Sequence, residues 1–285
     1  MVKRLIVIIL SMILLTTCAV LAEDDGQALM SQAEDAYNSG DYDAMLALLE
    51  QAASLGNARA QENLGYFYQF GKLVEKSYEK AAEYYELAAA QGSLVSQSAL
   101  GFLYEHGLGV EQSFDKAAYY YQQAAEQGDA SCLASLATFY CNGTGVEQSY
   151  ETAFQMNKAA ADMGNMIGQH NLGYMYEKGM GTEQSYEKAK EYYELSAAQN
   201  YGPALANLGY LYLQGLGVEQ DQSKAAEYFK PAAEQGSAVA NFNLGLLYEK
   251  GLGVEQSDEE AMRYYQAALD LGYTKAAEKL ENLKK

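Results

Sequence analysis

Tryptophan is absent from the 285 residues, histidine occurs twice, proline twice and cysteine three times. So few prolines leave little to interrupt helices, and so few histidines and cysteines leave little from which to build a metal centre. Basic side chains are also scarce, 19 Lys and Arg against 38 Asp and Glu, for a formal net charge of −19. A nucleic-acid partner needs clustered Lys and Arg to neutralise phosphates, so this balance argues against one. The excess negative charge suits a solvated acidic face, or a basic protein partner. What is present is 49% apolar and rich in Ala, Leu, Glu, Gln and Tyr, the composition of a soluble helical protein rather than a disordered one.

The first 22 residues differ from the rest. Lys3 and Arg4 precede an apolar run from Leu5 to Leu15, and Val20-Leu21-Ala22 leads into Glu23-Asp24-Asp25. This is the pattern of a secretory signal peptide over residues 1–22, cut after Ala22, and it implies export to a periplasm or to the exterior. The run is shorter than the roughly 20 residues that span a bilayer, so no transmembrane segment is expected in the mature chain. Leu15-Thr16-Thr17-Cys18 resembles a bacterial lipobox, which makes a lipid anchor on Cys18 the alternative. The match departs at Thr17, where Gly, Ala or Ser is usual, and apolar residues continue past the cysteine. Of the other cysteines, Cys132 and Cys141 lie nine residues apart. On one helix that spacing sets them about 13 Å apart along the axis and on opposite faces. They are expected to be unpaired, buried and structural.

An internal repeat organises everything after the leader. Leu-Gly recurs at Leu64-Gly65, Leu100-Gly101, Leu172-Gly173, Leu208-Gly209 and Leu244-Gly245, with Leu136-Ala137 in the one gap, always in steps of 36 residues. Tyr68, Tyr104, Tyr140, Tyr176, Tyr212 and Tyr248 keep the same step, as do Gly71, Gly107, Gly143, Gly179, Gly215 and Gly251. Each unit reads as two helices. Helix A runs from about Ala58 to Phe70 in the first, with Leu64 and Tyr68 on one face, and Gly71 fits the left-handed position that ends it. Ser77 and its equivalents Ser113, Ser149, Ser185, Asp221 and Ser257 are placed as N-caps of helix B, each worth about 1 kcal/mol. An acidic residue stands two positions on in five of them (Glu79, Asp115, Glu151, Glu187 and Glu259), where the helix dipole favours it. Helix B carries Ala81, Tyr85, Ala88 and Ala89 and stops at Gln91-Gly92. The expected organisation is a tetratricopeptide-like capping hairpin over 23–57, six repeats over 58–273, and a polar capping helix over 274–285.

The pattern Ala-x3-Leu-Gly-x2-Tyr-x2-Gly-x-Gly-Val of Ala204 to Val218, with Lys-Ala-x2-Tyr-Tyr-x2-Ala-Ala-x-Gln-Gly of Lys80 to Gly92, resembles the Sel-1-like repeat, a relative of the tetratricopeptide repeat. The resemblance covers about Ala58 to Leu280. It implies an all-α, right-handed superhelical solenoid of antiparallel helix pairs, with helix A lining a concave surface that binds a protein or peptide. It also implies an adaptor in membrane-associated or secreted complexes. A cysteine-rich branch of the family staples each repeat with a disulfide, and some members are described as binding or hydrolysing β-lactams. That cysteine pair is missing here, so neither the disulfides nor that activity carries over. One repeat is degenerate, with Met156-Asn157 for the Tyr-Tyr pair and Ala137 for glycine. Pro231 falls inside a helix B, where it is expected to kink the helix.

Chemistry-bearing motifs are few. Gly107-Leu108-Gly109 and its copies follow a helix rather than a strand, so their recurrence marks a structural turn and not a phosphate loop. His106 and His170 are nearly two repeats apart, without metal-ligand spacing around them. No nucleophile elbow and no acid-base pair stand out. Asn142-Gly143-Thr144 is a glycosylation sequon that has meaning only in a eukaryotic host. The reading is therefore a non-catalytic scaffold with no cofactor and no metal. Aligning helix A with the tetratricopeptide pattern places positions 62, 66, 69 and 70 and their equivalents on the concave side. One row then holds Tyr66, Phe102, Thr138, Tyr174, Tyr210 and Leu246. Phe70, Glu105, His106, His170, Glu177 and Phe242 flank it. The partner-binding residues expected are Tyr66, Phe70, Phe102, His106, His170, Tyr174, Tyr210 and Phe242. Packing of these aromatics between units is the competing reading. An envelope hydrolase or a β-lactam- or peptidoglycan-binding protein, and a secreted effector engaging host proteins, are the alternative functions.

Overall fold

A computed structural model describes residues 24–283, so the leader, Cys18 and the two final lysines lie outside the described residues. The described residues are helical with no strand. Helix α1 covers 24–39, followed by α2 (Tyr42–Ser54), α3 (Ala58–Phe70), α4 (Tyr78–Ala89), α5 (Leu94–His106), α6 (Phe114–Glu126), α7 (Ala130–Asn142) and α8 (Tyr150–Asp162). Next come α9 (Met166–Lys178), α10 (Tyr186–Ala197), α11 (Gly202–Gln214), α12 (Gln222–Glu234), α13 (Ala238–Lys250), α14 (Asp258–Asp270) and α15 (Lys275–Leu283). The chain forms two compact units, one ending at Cys132 and taking in Thr144–Val146, the other holding Leu133–Gly143 and the chain from Glu147 on.

The repeat makes the helices in the same way each time. Ser77, Ser113, Ser149, Ser185, Asp221 and Ser257 all accept the backbone N–H three residues on, at 3.0 to 3.3 Å. Each cap's own N–H donates to the carbonyl of the helix A tyrosine nine residues back, Ser77 to Tyr68 at 3.0 Å and Ser185 to Tyr176 at 2.9 Å. That bond sets the angle of the turn. Just before the cap, Gln112, Gln148, Gln184, Gln220 and Gln256 donate to orphan carbonyls at the end of helix A. Part of the free polar groups at these helix ends is thereby satisfied. Helix α12 continues through Pro231 from Gln222 to Glu234.

In the N-terminal unit, Met30, Ala33, Met45, Leu49, Ala52 and Leu64 form one core beneath the first hairpin. The other unit closes on Ala276 and Leu280 of α15, packed with Ala261, Tyr265 and Ala268, while Lys279 reaches Glu249 at 3.0 Å.

Two side-chain rows tie helix A to helix B. Tyrosines stack in pairs within single repeats: Tyr68 with Tyr84, Tyr104 with Tyr120, Tyr176 with Tyr192, Tyr212 with Tyr228 and Tyr248 with Tyr264, at 5.5 to 5.8 Å. Beside them the aromatic ring at the Tyr85 position lies on the helix A glycine. A Cβ on Gly65 would come within 2.6 Å of the Tyr85 ring, and Gly101, Gly173, Gly209 and Gly245 meet Tyr121, Tyr193, Phe229 and Tyr265 in the same way. The Leu-Gly signature is therefore a contact requirement, since no other residue lets the ring lie on the helix backbone.

Candidate functional site

Helix A presents the residues of interest. In the N-terminal unit, Tyr66 is 38% exposed, Phe102 40% and Phe70 54%, and His106 is exposed. Tyr66 packs on Phe70 with ring centres 4.8 Å apart, and Lys72 lies over the Tyr66 ring while donating to its hydroxyl. Phe102 and His106 stack at 4.2 Å, with His106 Nδ1 held 3.0 Å from the Phe102 carbonyl oxygen. A cavity of about 500 Å³ opens beside Tyr66, lined by Tyr37, Asn38, Met45, Arg59, Asn63 and Phe67 among others. Arg59 pairs with Glu34 at 3.1 Å there. The sequence pattern gave no sign of this cavity, because most of its wall comes from the first hairpin, which lacks the repeat.

In the other unit, Tyr174 is 42% and Tyr210 43% exposed. Lys178 lies 5.5 Å from the Tyr174 ring centre, and a cavity of about 450 Å³ flanks Tyr210, lined in part by Pro203, Asn207 and Val239. Thr138 is exposed and Leu246 half-buried.

His170 and Phe242 are placed differently from the exposed row: both are half-buried and serve packing between repeats. His170 rests against Tyr193 and Tyr201 at 5.6 and 5.4 Å, and Phe242 against Tyr265 and Tyr273 at 5.5 and 4.8 Å. At this position Glu62 likewise reaches into the next repeat, accepting from Ser93 at 2.6 Å. The physical reason is the lean of helical side chains toward the N-terminus, which carries this position over the start of the neighbouring helix A. Burial pushes the His170 imidazole below its usual range, so it is neutral near pH 7.

Glu105 and Glu177 also face inward. They accept the hydroxyls of Tyr121 and Tyr193 at 2.6 and 2.8 Å, as Gln69 does from Tyr85 at 2.7 Å and Glu249 from Tyr265. Where the ring is Phe229, without a hydroxyl, the matching position is Leu213. This internal matching of acceptor to hydroxyl was visible in the sequence as paired changes sixteen residues apart. Burial first, then the facing carboxylates, drives the phenols of Tyr121 and Tyr193 well above their usual range. These carboxylates are structural acceptors.

Cys132 is buried, and burial raises its thiol to about 12. Cys141 is half-buried and also raised by burial, and neither is in a disulfide. Both thiols stay protonated at neutral pH, unlike reactive cysteines. Among the described residues no group of three or more His, Cys, Asp or Glu is placed to hold a metal, and no helix is long and apolar enough to cross a membrane.

The Sel1 repeat pattern matches residues 58–93, 94–129, 130–165, 167–201, 202–237 and 238–278. The chain belongs to the Sel1 repeat family. Among solved structures, c5321, described as a protective antigen present in uropathogenic Escherichia coli strains, is 31% identical with a TM-score of 0.77 over 90% of this chain and 56% of its own. This chain thus spans little more than half the length of c5321. A Sel1 repeat protein from Oxalobacter formigenes is also 31% identical, with a TM-score of 0.74 over 85% of this chain and 99% of its own. No curated protein matches. The expected fold class holds: an all-α Sel1 solenoid of helix pairs repeating every 36 residues or so. Sel1 repeats generally serve as protein-interaction scaffolds rather than catalysts.

Proposed function

We propose that this Sel1 repeat chain is an exported, non-catalytic scaffold that holds an extended peptide or protein segment on the exposed side of its A helices. The observation that carries this reading is the exposure of large aromatics at one repeat position: Tyr66 and Phe102 in one unit, Tyr174 and Tyr210 in the other. Each contributes a rigid apolar face with little side-chain entropy to lose, which suits a binding anchor. Phe70 and His106 widen the patch in the N-terminal unit. None of these rings fills the packed core of its own repeat, where Leu64, Leu100, Tyr85 and Tyr121 do that work. Export rests on the leader pattern of residues 1–22, and the compartment is periplasmic or extracellular.

The experiment replaces Tyr66, Phe102, Tyr174 and Tyr210 by alanine together. Partner capture should fall at least tenfold while the helical melt shifts by only a few degrees. A collapsed melt would assign these rings to the core instead. A secreted effector is the second reading, favoured by the likeness to c5321, described as a protective antigen. Fractionation of the native organism separates the two by destination.

A further inference from the structure

The degenerate third repeat borders a cavity that it shares with the fourth. In five of the six repeats the Tyr85 position holds an aromatic ring, but here it holds Asn157, with Ala137 for glycine and Cys141 for the acceptor. All three changes go together. The missing ring relaxes the need for glycine, and the missing hydroxyl relaxes the need for Glu or Gln. The small replacements do not refill the space. A cavity of about 170 Å³ remains, lined by Thr138, Cys141, Asn157, Tyr174, Met175 and Met180 among others. A dry cavity of about 150 Å³ is large enough to take benzene.

Asn157 is 1% exposed. Its amide nitrogen donates to the sulfur of Met175, at 3.4 Å, and its Oδ1 has no hydrogen-bond partner. A buried acceptor left unpaired is costly. The cavity therefore combines an unsatisfied acceptor with a soft wall of two methionines, and thioethers favour contact with aromatic rings. Two of its walls, Thr138 and Tyr174, belong to the exposed row and share a unit with Tyr210, so the cavity lies where a segment bound along that unit's part of the row would pass.

We infer that this cavity is the anchor pocket of the scaffold, and that its occupant is a tyrosine side chain of the bound segment, its ring entering the space the repeat leaves empty and its hydroxyl donating to Asn157 Oδ1. The inference rests on the scaffold reading. A partner thereby supplies in trans what the other repeats supply from their own helix B. The donor requirement selects a phenol over a plain phenyl group.

The probe is p-cresol, the tyrosine side chain alone, titrated into the full mature chain, with toluene as the control lacking the hydroxyl. p-Cresol should bind one to one, at least tenfold more tightly than toluene. In the triple variant A137G/C141E/N157Y, which rebuilds the pattern of the intact repeats and fills the hole from within, p-cresol affinity should fall at least tenfold while the melting temperature holds or rises. Asn157→Leu keeps a comparable volume and removes the acceptor, so it should erase the preference for p-cresol over toluene. Equal binding of p-cresol to the natural chain and the triple variant, or no preference over toluene, overturns the pocket. Failure of the pocket leaves capture through Tyr66, Phe102 and Tyr210 intact, whereas failure of the scaffold reading leaves p-cresol binding intact without any captured protein.

Discussion

At the scale of single residues, each repeat is a small set of mutual permissions. Gly173 exists because the Tyr193 ring lies where its Cβ would be, at 2.7 Å. Gly173→Ala should therefore destabilise by about 1 to 3 kcal/mol, despite alanine's better helix propensity, because the ring must move in a packed core. Ala137, opposite Asn157, obeys the ordinary rule, and Ala137→Gly should cost about 1 kcal/mol from propensity alone. Urea denaturation of the two variants gives the comparison. Tyr193 and Glu177 form a second permission. Tyr193→Phe should cost about 1.5 to 3 kcal/mol through the lost hydrogen bond to a carboxylate, and adding Glu177→Leu should recover much of it, because Phe229 with Leu213 is that pair in another repeat. A double-mutant cycle measures the coupling.

At the scale of helices and turns, boundaries were readable because six copies vote on each one. The reading of helix A as Ala58 to Phe70 coincides with α3, and all six helix B caps are in place. What one repeat does to the next was not readable, because residues about 30 positions apart meet only once the packing is known. Position 62 was read as facing outward, yet Glu62 meets Ser93 and Phe242 meets Tyr273. The cavity between the third and fourth repeats was legible only as departures from the repeat at Cys141 and Asn157, and the spacing gave no sign of the space they leave beside Met175 and Met180. The turn glycines show the same divide. Gly179 and Gly181 both have positive φ, +68°, but their surroundings differ. A Cβ on Gly179 would meet Gln184 at an ordinary 3.4 Å, whereas one on Gly181 would lie 2.3 Å from the backbone oxygen of Tyr150 in the preceding repeat. Gly179→Ala should therefore cost about 1 kcal/mol of left-handed strain, and Gly181→Ala clearly more, because backbone cannot yield as a flexible side chain does. In the first repeat the position of Gly181 is held by Leu73, at φ +63°.

At the scale of the whole molecule, burial and facing carboxylates raise the phenols of Tyr85, Tyr121, Tyr193 and Tyr265 above the ordinary value of 10.0. In the unfolded chain these phenols ionise near pH 10, while in the folded chain they stay neutral. Stability from this source is intact below that pH and is lost as pH rises past it. Alkaline unfolding should accordingly coincide with a cooperative rise in tyrosinate absorbance. At the acid end Glu249 has the opposite sign. Burial raises it, but hydrogen bonds from Tyr265 and Lys279 outweigh burial and hold it below the usual carboxylate range. Its contribution is therefore lost as pH falls through that lowered value.

The central claim, that exposed helix A aromatics hold a partner and do not hold the fold, is tested most directly by joining two readouts on one variant. Tyr66, Phe102, Tyr174 and Tyr210 are changed to alanine, and capture of proteins from the native envelope is measured beside thermal unfolding followed by circular dichroism. The account predicts that specific capture disappears while the melting temperature changes by only a few degrees. Undiminished capture by a well-folded variant, or a variant that no longer folds, would contradict it.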